Sequence, residues 1–260
     1  MILGILQARA SSRRLPGKVL KPILGRPMLE RQIERLRRSR RMDRLVVATS
    51  TDASDDAIAA LCKTLTVDCF RGSLDDVLDR FYQAARQYAP RPVVRLTGDC
   101  PLADPSVIDE LIETHCREGY DYTANILPPR QIPDGLDVEV IAMSCLETTW
   151  HEAKLPSERE HVTPFIYNHR ERFRFEWQRL ATDLSRLRWV VDEPEDFEFV
   201  SAIYEALYPV NPTFSTADVL ALLERRPDIA TMMGNVPTNE GYQRSLAADA
   251  AFLAARKGKP

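Results

Sequence analysis

The chain of 260 residues contains no run of about 18 apolar residues, the length a membrane-crossing helix needs, so no such helix is expected. Its first residues lack the signal-peptide order of charge, long apolar stretch and cleavage site; MILGIL is short and leads straight into polar residues. Cysteine is sparse. The five present, Cys62, Cys69, Cys100, Cys116 and Cys145, are odd in number and form no C-x-x-C pair. That argues against a disulfide framework or a zinc ribbon and fits reduced thiols in a cytoplasmic protein. The four histidines, His115, His151, His161 and His169, show no H-E-x-x-H spacing. Positive charge is not in excess: 35 Lys and Arg against 38 Asp and Glu leave a net charge of -3. General nucleic-acid binding, which needs a broad basic surface, is therefore not expected. No internal repeat or low-complexity segment is evident.

What is present is an ordinary globular balance, 44% hydrophobic and 28% charged, in a length that suits one α/β domain with an insertion. Against the acidic total, one stretch stands out. LQARASSRRLPGK, residues 6–18, gathers Arg9, Arg13, Arg14 and Lys18 directly after an apolar run. Cations this local suit a small anion.

The front half alternates short apolar runs with helical periods. Strands are expected at 2–6, 44–50, 66–70 and 91–99. Helices are expected at 27–39, 52–65, 73–88 with Ser73 as N-cap, and 104–119 with Pro105 in the first turn and Gly119 at the end. This alternation means βαβ units and a mainly parallel sheet with helices on both faces. Residues 120–175 change character: YDYTAN, DGLDVEVIA and FRFEW read as strands, SCLETTWHEA and SEREHVTPFIYNH as helices, together an inserted α+β lobe. LRWVV (187–191) reads as a buried strand. Helices follow from Pro194 to about 209 and over 215–227. The tail from about 239 reads as an alanine-rich helix, so 211–260 form a helical C-terminal extension.

Ligands of such sheets bind beyond the carboxyl ends of the strands. The basic loop lies there. Pro16-Gly17 turns it sharply, and its backbone N–H groups with Arg9 and Lys18 can cradle a polyphosphate. It is neither G-x-G-x-x-G nor G-x-x-x-x-G-K-[ST]. Asp99 and Asp192 each follow an apolar stretch, in VVRLTGD and LRWVVD. Two carboxylates at that edge, facing a phosphate loop, are what Mg²⁺ takes, since it keeps waters and accepts phosphate oxygens. The plainer reading of Asp192 is an acid at a helix start, and of Asp99 a turn carboxylate before Pro101. The acid pairs Asp55-Asp56 and Asp75-Asp76 read as helix starts, Trp150, Trp177 and Trp189 as packing residues, and Glu158 to His161 as a solvated helix face.

These residues carry a resemblance. A-R-x-x-S-x-R-L-P-G-K, Ala8 to Lys18, resembles the signature loop of the sugar-acid cytidylyltransferases, which make CMP-activated KDO and sialic acids. VVRLTGDCPLADPSVID, PDGLDVEV, SEREHVTPFIYNH and LRWVVDEPEDFEFV are similar to the spore-coat polysaccharide biosynthesis protein F branch of that superfamily. The match runs in order from residue 2 to about 208. One stretch departs: this chain has RGSLDDVLD where the KDO and sialic-acid enzymes carry an S-G-T-[ED]-R-like sequence.

The resemblance implies a nucleotidyltransferase fold, GT-A or Rossmann-like, over residues 1–210. It implies that Ala8, Arg9, Ser12, Arg14 and Lys18 line the triphosphate, that Ser50, Thr51, Arg71 and Gly72 lie near base and ribose, and that Asp99 and Asp192 hold Mg²⁺. By the same analogy the insert supplies a sugar pocket, with Asn125, Asp137, Glu139, Arg159 and His161 as candidates, and takes part in a homodimer. Arg9, Lys18, Asp99 and Asp192 are then the catalytic candidates. The expected reaction is attack of a sugar or sugar-acid hydroxyl on the α-phosphate of CTP, with pyrophosphate leaving, for surface polysaccharide synthesis. The alternatives are a GT-A-type glycosyltransferase, for which no Asp-x-Asp occurs, and a non-catalytic nucleotide-binding relative. Arg13 falls at a variable position of the loop and is expected to face solvent.

Overall fold

The computed structural model describes residues 1–177, 182–234 and 240–257. A seven-stranded sheet forms the centre, in the order β5-β4-β1-β6-β8-β7-β9. Its strands are β1 (Leu3–Gln7), β4 (Arg44–Ser50), β5 (Asp68–Gly72), β6 (Pro92–Thr97), β7 (Tyr122–Ala124), β8 (Glu139–Ala142) and β9 (Phe175–Trp177). β2 (Pro22–Ile23) and β3 (Arg26–Pro27) form a separate small hairpin. β5, β4, β1 and β6 pair in parallel, and β8 then enters antiparallel to β6. β7 is antiparallel to β8, and β9 parallel to β7.

The apolar alternation along β1 sends Leu3 and Ile5 to one face and Leu6 to the other, and each face has its own core. On the Leu6 face lie α1 (Met28–Leu36), α2 (Asp56–Thr64), α4 (Pro105–Glu118), α8 (Pro194–Leu207), α9 (Thr216–Arg225) and α10 (Pro227–Ala230). On the Leu3 face lie α3 (Val77–Arg86), α5 (Met143–Glu152) and α7 (Pro164–Asn168), joined by α6 (Pro156–His161). The last helix, α11 (Glu240–Lys257), packs against α6. No helix among the described residues is long and apolar enough to cross a membrane.

Most expected elements form, and the departures have local causes. LRWVV is extended and buried at Trp189, Val190 and Val191, yet it joins no strand ladder. Its backbone bonds instead to loops: Asp134 N to Leu187 O at 2.8 Å, Trp189 N to Asp134 O at 2.5 Å, and Val191 N to Asp99 O at 2.8 Å. Burial alone gave it a strand's sequence. Gly135 makes this packing possible: with φ of 112°, its missing Cβ would stand 2.5 Å from the Trp189 carbonyl carbon. SEREHVTPFIYNH forms two helices, not one, because Pro164 has no N–H to donate into a continuing helix and its ring would crowd the carbonyl one turn back; Val162 makes the break at φ 73°. α3 starts at Val77, later than expected. Asp76 is its N-cap, accepting from Asp79 N at 2.9 Å, while Ser73 Oγ accepts from Asp76 N at 3.0 Å.

Candidate active site

The carboxyl ends of β1, β4, β5 and β6 share one edge, and the basic loop leaves β1 there. Gly98 N donates to Gln7 O at 2.8 Å, and Ala8, buried, donates to Ala48 O at 3.1 Å. A Cβ on Gly98 would meet Ala8 Cβ at 3.0 Å, so a glycine lets the exit of β6 lie directly against the loop. The loop folds around Ala10, whose carbonyl accepts from Ser12 N and Gly17 N, both at 2.9 Å. Ala10 N in turn donates to Asp55 Oδ1 at 2.7 Å. Asp55 also accepts from Ser50 N at 3.0 Å and Ser50 Oγ at 2.5 Å. Burial pushes the Asp55 carboxyl up, but these hydrogen bonds outweigh it and its pKa is lowered. Asp55 is thus more than a helix start: it is the buried anchor that ties the basic loop to β4.

Lys18 closes the loop. Its Nζ donates to Asp192 Oδ1 at 2.9 Å, Asp99 Oδ2 at 3.3 Å and Val191 O at 2.7 Å, with only 9% of the side chain exposed. Burial disfavours the ammonium, but the charges of Asp99 and Asp192 outweigh it and the pKa is raised. Asp99 responds in kind: burial pushes it up, Lys18 and a hydrogen bond from Thr97 pull it down, and the net pKa is lowered. Arg14 meets Asp192 at 2.7 Å and Glu193 at 3.3 Å. Ser12 Oγ accepts from Leu15 N at 3.4 Å. Arg9 and Arg13 are exposed.

Asp192 is held from behind by residues the sequence reading missed. Asp196 accepts from the backbone N–H of Asp192 and of Glu193, both at 2.9 Å. Arg188 bonds Asp196 at 2.8 Å and reaches Asp192 and Asp134, each at 3.4 Å. Asp134 is pushed up to about 6 by burial and by Asp137. No cluster of three or more metal-ligating side chains occurs among the described residues. Asp99 and Asp192 do converge on a single cationic atom, Lys18 Nζ, so the pair is built to share a cation, and a metal there would complete its shell with phosphate oxygens and water.

At the β4–β5 end, Thr51 N donates to Gly72 O at 2.9 Å, and Arg71 donates to Ser50 O at 2.8 Å and Asp52 O at 3.0 Å. Arg71 also pairs with Asp56 at 2.7 Å. These four candidates share one edge with the loop. Beneath Gly72 lies Arg80, 2% exposed, whose Nη1 donates to Ser73 O and Leu74 O. Burial, and then the charge of Arg9, lowers its pKa to about 10.

The five sugar candidates separate. Glu139, 2% exposed, accepts from Arg95 Nη1 at 2.9 Å and Thr163 Oγ1 at 3.3 Å, while its Oε2 has no partner among the described residues. Burial raises the Glu139 pKa against the pull of Arg95. Arg95 also donates to Gln7 Oε1 at 3.0 Å, which puts this network beside the basic loop. His161 belongs to the same region; burial first, then Arg95 and Arg9, lower its pKa against Glu160. Asp137 instead pairs with Arg130. Asn125 is buried and staples the 136–138 segment through Leu136 O at 2.8 Å and Val138 N at 2.9 Å. Arg159 turns to Asp76, the N-cap of α3, and to Trp150 O at 2.9 Å, lining a cavity of about 450 Å³ with Asp79, Trp150, His151, Ala153 and Lys154. The Glu158–His161 run is not a solvated face: Glu158 is buried and accepts from Lys154 N and Leu155 N at 2.8 and 3.0 Å. Arg95 and Arg188 had one signal in the sequence, a lone charge inside an apolar run, which burial permits only when it is paired.

A family described as cytidylyltransferase matches residues 3–210. The chain belongs to the cytidylyltransferase family. It is 36% identical over 239 residues to the spore coat polysaccharide biosynthesis protein SpsF of Bacillus subtilis, covering 88% of this chain and 97% of that protein. It is 40% identical over 111 residues to a 3-deoxy-manno-octulosonate cytidylyltransferase of Anaeromyxobacter sp. (strain K), covering 42% and 44% of the two chains. The solved cytidylyltransferase of Leptospira borgpetersenii superposes with a TM-score of 0.85 at 30% identity, covering 92% of this chain and 99% of that one.

Proposed function

We propose that this cytidylyltransferase activates a sugar or sugar acid with CTP for surface polysaccharide or glycan synthesis, acting in the cytoplasm as a homodimer. A sugar hydroxyl oxygen bonds to the α-phosphorus of CTP and gives up its proton to water, the bond from that phosphorus to the β-phosphate oxygen breaks, and pyrophosphate leaves. The observation that carries this reading is the meeting of Lys18, Arg14, Asp99 and Asp192 at the loop that leaves β1. Catalysis of this kind is positioning and electrostatics, because negative charge gathers on the phosphoryl oxygens in transit. Arg9, Arg14 and Lys18 neutralise that charge, and Ser12 and the backbone around Ala8 orient the triphosphate. Asp99 and Asp192 would hold Mg²⁺, which when bound supplies a Lewis acid to the phosphates. Ser50, Thr51, Arg71 and Gly72 receive base and ribose. Glu139 and His161, near Arg95, lead the acceptor-sugar side, in the segment 120–175 that we also read as the dimer contact.

The test is incubation with CTP, Mg²⁺ and a panel of sugars and sugar acids. Pyrophosphate release that needs one of the sugars is the expected result. Absence of turnover with any nucleotide overturns the reading, and release of a nucleoside mono- or diphosphate from a sugar nucleotide replaces it with glycosyl transfer.

A further inference from the structure

The family match ends at residue 210, yet α11 reaches the acceptor side of the site. It is clamped onto α6 by a buried pair: Ser157 N donates to Asp249 Oδ1 at 2.8 Å and Ser157 Oγ to Asp249 Oδ2 at 2.6 Å. One turn earlier, the buried Ser245 Oγ lies 2.6 Å from Glu160 Oε2, 3.2 Å from Gly241 O and 2.9 Å from His161 Nε2.

A serine hydroxyl has one proton to give. A carboxylate and a carbonyl can only accept, and the short charged contact with Glu160 is the stronger claim on that proton. The Ser245 oxygen therefore turns a lone pair to His161, and Nε2 must be the protonated ring nitrogen. In the neutral ring Nδ1 is then left as an acceptor. The charged and titratable groups that face the ring are Glu160 on its own helix, Asp249 and Tyr242 from α11, Arg95 from β6 and Arg9 from the basic loop. Burial first, then Arg95 and Arg9, lower the ring's pKa against Glu160 and Asp249, which favours the neutral form.

We infer that Ser245 is a positioning residue, fixing His161 as the Nε2–H tautomer so that Nδ1 accepts a hydrogen bond from a hydroxyl of the acceptor sugar. This rests on the reading, proposed above, of His161 as a residue of the acceptor-sugar side. It gives the C-terminal helix a part in acceptor recognition, whereas every residue proposed above for CTP lies outside that helix.

The test uses the full chain labelled with ¹⁵N, with the His161 ring signals assigned by comparison with His161→Gln. At pH 7.5 the expected signals are a protonated Nε2 and an unprotonated Nδ1; a protonated Nδ1 overturns the inference. This readout needs no sugar, so it stands apart from the pyrophosphate assay that tests the function itself. With the panel sugar that gives most pyrophosphate, Ser245→Ala is expected to raise the acceptor KM about tenfold, the worth of one hydrogen bond, and to leave the KM for CTP unchanged. Ser245→Thr, which keeps the hydroxyl, restores the acceptor KM. An unchanged acceptor KM in folded Ser245→Ala, or equal losses for both substrates, overturns the assignment.

Discussion

Lys18 is an ammonium in a place where an ammonium is costly, and three acceptors offset that cost. The same atom holds Asp99 and Asp192 together, and in the proposed function it also faces the phosphates. On that proposal Lys18→Ala removes a charged hydrogen bond to the triphosphate, worth roughly 1.5–3 kcal/mol, so CTP should bind about 10- to 150-fold more weakly in calorimetry. Unchanged affinity would remove the loop from the site. His115 makes a separate point about stability. Buried on α4 and bonded to Thr123 Oγ1 at 3.1 Å, it has its pKa lowered to about 4 by burial. The unfolded chain binds that proton near pH 6.5, so stability falls as pH drops from there to about 4 and the loss is complete below it. The full difference is roughly 3 kcal/mol. In urea unfolding, the advantage of wild type over His115→Gln should shrink steadily across that window; parallel pH curves would refute the assignment. The cations of the basic loop and both strand-end aspartates were legible in the sequence because each stands at an element boundary. The anchoring role of Asp55 and the partners of Arg95 and Arg188 were not, since those pairs join residues 44 to 54 positions apart, and spacing along the chain carries no record of that.

At the scale of elements, the site depends on two close approaches of backbone. One is the Leu187–Val191 segment, whose burial was readable but whose lack of a strand partner was not: apolar residues record that a segment is inside, and not what its N–H groups bond to. The α6–α7 break was foreshadowed by Pro164 and still read as one helix, because the apolar period continues across it. The other approach is Gly98 against Ala8. Gly98→Ala sets a methyl 3.0 Å from Ala8 Cβ and 3.1 Å from Gln7 O, contacts that backbone atoms relieve only by moving apart. The exit of β6 carries Asp99, so the shift moves a candidate metal ligand away from the loop. Overpacking of this kind costs about 1–3 kcal/mol, and CTP affinity should fall along with the melting temperature. A variant with wild-type Tm and affinity would show that the two segments are not tightly coupled.

For the whole molecule, the parallel order β5-β4-β1-β6 explains why an acidic chain can hold a triphosphate: it brings the loop after β1, the β4–β5 edge and Asp99 to one rim, and the Asp99–Val191 bond adds Asp192. The βαβ alternation made this half of the sheet readable. The antiparallel entry of β8 between β6 and β7 was not, because pairing order is a long-range choice among strands of similar composition. A ligand that bridges this rim binds only the folded chain and raises its stability by mass action. At a hundred times its Kd the gain is about 2.7 kcal/mol, which for a chain of this size is a rise in Tm of about 5–10 °C. CTP with Mg²⁺ should produce that rise, and CTP with a chelator a clearly smaller one, since Asp99 and Asp192 would then face the phosphates with no cation between beyond the side chains already paired to them, Lys18, Arg14 and Arg188. UTP, ATP and GTP should shift Tm less than CTP at equal concentration. A larger shift with any of them would reassign the base, and equal shifts with and without the metal would take the two aspartates out of the metal role.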